Sequence, residues 1–339
     1  MDKVRVCLVG AGRVARVHGY NLKTCIPNSE LVAIVDKKED LAEDLAGELS
    51  VSKVFKNHQQ ALDWGKFDAV VITTPTFTHC QIVVDAASSK KHIFCEKPIA
   101  LTLKEANLMI DECYKNEVKF QIGFMRRFDP EFILAKKRIE EGAIGEIILI
   151  KSTGRGPGLP PEWALDIEKS GGMLAEVSSH DFDSLMWFAK SELKSVEAIA
   201  KNYKHPEIGE RYPSFYDTAI VIGTFKNGKM GIVDMSCPAN YGYDARMEIL
   251  GSEGVMFVGN IKSGNISYCT RKKGIVFTHY FSWRERFKQA YIDELQHFIN
   301  CIVENKNPEV NGEDGKRSLA VVAAANLSIR TGKKIEVIY

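Results

Sequence analysis

The sequence predicts an α/β protein in two parts. Residues 1–123 should form a doubly wound parallel sheet, and residues 124–339 an α+β domain with a mainly antiparallel sheet. Three observations carry this. Strand-like apolar runs alternate strictly with helix-like segments over about the first 120 residues. A glycine-rich turn follows the first of those runs. From about residue 124 the alternation stops, and strand-like runs joined by short turns take over. A length of 339 residues suits two domains, each able to bury a core.

The elements follow in order. "VRVCLVGAGRVARVHGYNL" (4–22) reads as a strand, a glycine turn and a helix. Its opening is almost continuously apolar, as a parallel strand covered on both faces should be. "LVAIVD" (31–36) is a second strand, and "DLAEDLAGEL" (40–49) has helical periodicity. "KVF" (53–55) is a short third strand, "QQALDWG" (59–65) a helix and "DAVVITTP" (68–75) a fourth strand. Then come a helix (79–89), the strand "HIFCEKP" (92–98), a helix (103–116) and the strand "KFQIGF" (119–124). One more helix (131–145) opens the second part. Strand-like runs follow at 146–154, 193–203, 217–236, 245–260 and 265–270, with turns at Asn227-Gly228 and 251–254. A closing stretch (315–332) reads as an amphipathic helix.

Composition excludes several classes. Apolar content is 45% and charged content 26%, ordinary for a globular protein. A formal net charge of +1 supplies no general field for nucleic acid or an anionic membrane, so neither is expected as a partner. No apolar run is long enough to span a bilayer, and the first residues lack a signal-peptide layout. The eight cysteines are scattered, with no Cys-x-x-Cys pair, which suits a reducing cytoplasm. No His/Cys cluster has zinc spacing, and no metal is expected.

"GAGRVA" (10–15) matches Gly-x-Gly-x-x-Gly/Ala. Gly10 permits the tight turn, Gly12 lets the backbone approach a pyrophosphate, and Ala15 allows close helix-to-strand packing. Arg13 and Val14 then open a helix whose amino terminus offers N–H groups and partial positive charge to an anion. Asp36 closes the second strand, at about the 20-residue spacing where an acid accepts the ribose hydroxyls. The carboxylate favours NAD over a 2′-phosphorylated cofactor, while Lys37 and Lys38 beside it leave NADP open. Thr73, Thr74 and Pro75 end the fourth strand on the same sheet edge, where they line the nicotinamide half.

The fifth strand reaches that edge as Glu96-Lys97-Pro98. Pro98 restricts Lys97 to an extended backbone. A lysine held there can hydrogen-bond a substrate hydroxyl and favour alkoxide character on it. In "SGGMLAEVSSHDFDSLMWF" (170–188), helical spacing puts Glu176, His180 and Asp183 on one face. A histidine beside carboxylates is the natural general base near neutral pH.

Together these segments resemble the Gfo/Idh/MocA oxidoreductase family along nearly the whole chain. The carriers are "GAGRVARVH", "AVVITTPTFTH", "FCEKPIA", "GFMRRFDPEF", "GGMLAEVSSHDFD", "YGYDARMEILGSEG" and "RERFKQAYIDEL". Within the family, "RRFDPEF", "YGYDARMEI" and "RFKQAY" resemble inositol 2-dehydrogenase-type members. The resemblance implies a Rossmann domain that binds NAD, then an α/β domain whose open sheet mediates dimers or tetramers. It implies Lys97 and His180 as the catalytic pair with Glu176 as helper, and it adds His79 and Glu96 to the cofactor set. Arg127, Arg155, Tyr243 and Tyr291 join Lys97, Glu176 and His180 as candidate contacts to a polyol or sugar. Position 176 is commonly Asp in inositol dehydrogenases, and Glu176 departs from that pattern. The implied activity is hydride transfer between a ring secondary alcohol and a nicotinamide cofactor. A dehydrogenase of another sugar, amino sugar or sugar nucleotide, an NAD-dependent glycosidase and a non-catalytic regulator stay open as alternatives.

Overall fold

The alternation of the first third becomes a six-stranded, all-parallel sheet in the computed structural model, which describes residues 3–339. Its elements are β1 (Val4–Val9), α1 (Arg13–Thr24), β2 (Ser29–Val35), α2 (Glu39–Leu49), β3 (Val54–Phe55), α3 (His58–Trp64), β4 (Ala69–Ile72), α4 (His79–Ser88), β5 (His92–Glu96), α5 (Leu103–Lys115) and β6 (Phe120–Gly123). The strand order β3-β2-β1-β4-β5-β6 reverses between β1 and β4, the switch point at which such sheets bind ligands. Side-chain alternation builds two cores. Cys7, Val9, Val70, Ile72, Ile93 and Cys95 pack with residues of α3, α4 and α5. Val6, Leu8, Val71 and Phe94 point the other way, to α1 and α2.

That second face has a gap. The helices α1 and α2 cover its β1–β3 half, and among the described residues no helix before residue 124 covers the rest. A helix far along the chain, described below, fills it. Leu295, Phe298 and Ile299 are fully buried in the same cluster as Leu8 and Phe94. Each contributes roughly 1.5–3 kcal/mol of burial, and the Phe94 and Phe298 rings meet edge-on at 5.9 Å. Gln121 of β6 donates its amide to the backbone oxygen of Glu294 at 2.8 Å. The first unit therefore runs to Phe128 and includes Gln289–Leu319, and the second takes Asp129–Lys288 and Ala320–Tyr339. The chain thus passes between units three times, where the sequence pattern suggests one change near residue 123.

The second unit opens with α6 (Pro130–Glu140), capped by the Asp129 carboxylate on the N–H groups of Glu131 and Phe132. It continues with β7 (Ile147–Arg155), short helices α7 (Glu162–Leu165), α8 (Ile167–Ser170) and α9 (Met173–Glu176), then α10 (Ser179–Ala189), β8 (Leu193–Lys201), α11 (Pro206–Arg211), β9 (Thr218–Phe225), β10 (Met230–Ser236), β11 (Asp244–Gly251) and β12 (Val255–Val258). A hairpin of β13 (Lys262–Thr270) and β14 (Gly274–His279) precedes α12 (Trp283–Arg286). Helices α13 (Lys288–Val303) and α14 (Gly312–Thr331) and the short β15 (Ile335–Glu336) end the chain. The filling helix above is α13. The sheet order is β12-β11-β7-β10-β9-β8-β15. Strands β7 and β10 run parallel, and the other neighbours are antiparallel. Helix α10 covers one sheet face. The other exposes Ile199, Ile220, Ile222 and Phe257. No helix among the described residues is long and apolar enough to cross a membrane.

Candidate functional site

In the first unit the site begins at the carboxyl ends of β1 and β4. Gly10 has φ +104° and lies against Thr73, where an added Cβ would come within 2.9 Å of the carbonyl carbon. Only glycine accommodates both the angle and the contact. Gly10→Ala should lower stability by about 1–3 kcal/mol, the usual range for a strained backbone, read from denaturant unfolding. Gly12 caps α1 without a side-chain bond, and a Cβ there would meet nothing within 4 Å. Its open front and the bare N–H groups starting at Arg13 and Val14 fit a diphosphate.

Asp36 follows β2. Its Oδ2 accepts the Ala11 N–H at 2.8 Å, and its Oδ1 accepts the Lys38 N–H at 2.9 Å. Each oxygen keeps a lone pair for a ribose hydroxyl, and the carboxylate braces the glycine loop. Asp36→Ala should therefore weaken NAD binding by about 10- to 100-fold, the loss expected for hydrogen bonds to a charged group. It should also narrow the preference for NAD over NADP. Titration with both nucleotides measures this.

The loops after β4 and β5 are tied to each other. Thr73 is buried, and its hydroxyl donates to Val9 O at 3.0 Å, so it shapes the glycine loop. Thr74 Oγ1 accepts from Thr78 at 2.8 Å, and Pro75 O accepts from Thr78 N at 2.9 Å. His79 is fully enclosed. Its ring nitrogens face Pro98 O and Thr74 O, both at 2.9 Å, stapling one loop to the other. Burial lowers the His79 pKa below its ordinary value, against the pull of the two carbonyls. Glu96 also points inward: Oε1 meets His18 Nε2 at 2.7 Å, and Oε2 accepts the Lys97 N–H at 3.2 Å. The structure thus places His79 and Glu96 behind the loops. Lys97, half-buried, is the member of this stretch left at the sheet edge.

In the second unit, Glu176 ends α9, and His180 and Asp183 lie on α10. Val177 and Ser178 between the two helices keep right-handed helical backbone, with Val177 N on Met173 O at 2.9 Å and Ser178 N on Leu174 O at 3.0 Å. The segment is anchored on several sides. Asn326 Nδ2 donates to Gly171 O at 2.7 Å, and Tyr216 OH accepts the Leu174 N–H at 3.2 Å while donating to Asn326 at 2.8 Å. Asp181 accepts the Ser152 hydroxyl at 2.7 Å. These bonds hold the start of α10, and with it the buried imidazole of His180.

The other sequence-derived candidates divide between the units, Arg127 and Tyr291 in the first and Arg155 and Tyr243 in the second. Arg127 pairs with Asp314 at 3.0 Å within the first unit. Tyr291, on α13, is buried edge-on to His18 at 5.6 Å. Tyr243 sits edge-on to Phe287 at 6.1 Å. Arg155 donates to Asp234 O at 2.7 Å and lies on the sheet face opposite Ser152 and α10.

Comparison with known proteins then decides the family. Residues 4–124 match the oxidoreductase family's NAD-binding Rossmann fold, and residues 136–337 match its C-terminal alpha/beta domain. The chain belongs to the Gfo/Idh/MocA oxidoreductase family. Within that family a myo-inositol 2-dehydrogenase of Thermotoga maritima is 34% identical over 98% of this chain and 98% of its own. A scyllo-inositol 2-dehydrogenase (NAD(+)) of Bacillus subtilis is 36% identical over 98% of this chain and 96% of its own. The crystal structure of a scyllo-inositol dehydrogenase from Lactobacillus casei, with bound NAD(H) and scyllo-inositol, matches with a TM-score of 0.93 at 28% identity, covering 99% of each chain. The cofactor of this Gfo/Idh/MocA chain is NAD, and the matched Rossmann segment contains the glycine loop, the start of α1 and Asp36.

Sequence reasoning missed the supports of this Gfo/Idh/MocA site: His18, Glu294, Ser152, Asp181, Tyr216 and Asn326. A signal existed for one. Alternation places Glu96 on the same strand face as Phe94, which belongs to the core under α1. A carboxylate aimed there needs a buried partner, and His18 is on the inward stripe of α1 with Ala15 and Leu22.

Proposed function

We propose that this protein oxidises a ring secondary alcohol of an inositol-like cyclic polyol, reversibly and with NAD. Full-length similarity to dehydrogenases named for inositols carries the reading, and the sequence supplies Lys97 after β5 and His180 on α10 as candidates for the chemistry. The first part of the chain binds the nucleotide and the second binds the polyol. When bound, NAD supplies the hydride acceptor. Lys97 donates a hydrogen bond to the reacting hydroxyl and favours negative charge on its oxygen. His180 takes the hydroxyl proton as general base and passes it to solvent, with Glu176 charge-balancing the imidazole.

NADH formation by the purified protein against inositols, aldoses, amino sugars and sugar nucleotides tests this. Turnover should be highest with an inositol. A higher kcat/KM for another sugar class would replace the substrate assignment. Release of sugar from a glycoside without net NADH would indicate a glycosidase, and nucleotide binding without turnover a regulator.

We also propose a homo-oligomer, a dimer or tetramer, joined through the outer sheet face. Ile199 on β8 is 75% exposed and Phe257 on β12 70%, both on strands of one open sheet. Ile222→Lys should shift sedimentation toward the monomer, and an unchanged profile would place the interface elsewhere. The eight free thiols support a cytoplasmic location.

A further inference from the structure

Beneath Lys97 lies a polar cluster that the proposed reaction does not use. His18 of α1, Glu96 at the end of β5 and Glu294 of α13 offer ligand-type atoms all within 4.8 Å of one another. His18 and Glu294 have no exposed surface, and Glu96 is 7% exposed. His18 Nε2 and Glu96 Oε1 are 2.7 Å apart. Neither Glu294 carboxyl oxygen has a hydrogen-bond partner among the described residues. Two carboxyl groups thus face one imidazole inside the core. Two ionised carboxylates would leave a negative charge buried without a partner, and a neutral acid removes that charge. Burial, then the Glu96 charge, push the Glu294 carboxyl well above the usual carboxylate range.

The same three groups have the donor types of a cation site. The surroundings favour a proton instead. The imidazole nitrogen nearest Glu96 is already engaged, and the rings of Phe94 and Tyr291 stand edge-on to His18 at 5.2 and 5.6 Å. A divalent cation needs further oxygen or nitrogen donors, and these walls are aromatic.

We propose that Glu294 is a positioning residue for Lys97: it carries a proton and donates it toward Glu96, directly or through one buried water. Acid, carboxylate and imidazole then form one chain, and Glu96 Oε2 holds the Lys97 N–H. The inference rests on the reading of Lys97 as an active-site residue. The titratable or polar groups around the chain are Lys97 after β5, His79 of α4, Gln121 of β6 and Tyr291 of α13. The His79 ring nitrogens already face Thr74 O and Pro98 O.

The test uses the intact wild-type chain, Glu294→Gln and Glu294→Leu. At pH 7 the wild type should show the infrared carbonyl band of a protonated carboxylic acid, shifted in D2O and lost in Glu294→Gln. Absence of that band in the wild type overturns the proposal. Thermal unfolding gives a second readout. The unfolded glutamate releases its proton near 4.5 while the folded one retains it. Stability from this group is therefore complete below that pH and is lost as pH rises toward the folded value. The Tm of Glu294→Gln minus that of the wild type should grow from about pH 5 to pH 8, and a flat or falling difference overturns the proposal.

In turnover, Glu294→Leu should lose about 10- to 100-fold in kcat through a misplaced Lys97, with NAD affinity retained. Glu294→Gln, which still donates, should recover most of that loss. Equal losses in both variants overturn the positioning role, as does a Tm gain on adding Zn2+ that Glu294→Gln abolishes. If Glu294→Leu fails to fold, the infrared and pH results decide. If the wild type makes no NADH, the functional reading fails, and those two measurements still judge the buried proton.

Discussion

His180→Ala should lower kcat by about 10²–10⁴, the range for loss of a general base, while NAD binding stays at the wild-type level. The imidazole belongs to α10, which is anchored by Asp181 on Ser152, and by Asn326 and Tyr216 on the segment before it. Its removal leaves those bonds intact, so the variant should fold. The nucleotide loop is in the other unit, at Gly10, Gly12 and Asp36, and should bind as before. The pH profile should distinguish a lost base from a lost shape. In the wild type, kcat/KM should fall on the acid side as His180 protonates, and in His180→Ala that limb should flatten. Near-wild-type kcat in this variant, with nucleotide bound, would remove His180 from the mechanism.

Lys97→Met should be the other large loss, about 10²–10³ in kcat, comparable to removing one donor at a developing oxyanion. Methionine keeps the length and apolar stem and deletes the charge. The Lys97 backbone N–H still reaches Glu96, and the staple from Thr74 through His79 to Pro98 is untouched. Calorimetric titration should show unchanged NAD affinity. The double variant should lose less than the product of the single losses, because the proposed mechanism has both groups serve the same proton-transfer step. Full multiplicativity would indicate separate roles.

Much of this architecture is legible in the sequence, for identifiable reasons. A parallel strand buried on both faces writes a nearly unbroken apolar run, and "VRVCLV" and "AVVI" are β1 and β4. The glycine loop is legible because Gly10 has a backbone angle and a neighbour that exclude a side chain. Helix α13 is different. Its apolar stripe shows that it packs against something, and only the uncovered half of the sheet around Phe94 decides what. Buried polar pairs are the least legible, because His18 and Glu96 are 78 residues apart and nothing local to either reports the other. Glu96 illustrates the limit. Neighbouring Lys97 in a charged tripeptide suggests a shared role, yet strand alternation turns the two side chains to different sides, one to the core and one to the edge.

The most direct test of the central claim is the stoichiometry of oxidation of an inositol labelled with deuterium at the reacting carbon. Purified protein with NAD should form one ketone per NADH, and the deuterated substrate should react measurably more slowly than the unlabelled one in single turnover. Ketone without NADH, NADH without ketone, or no turnover with any inositol at saturating NAD would contradict the account.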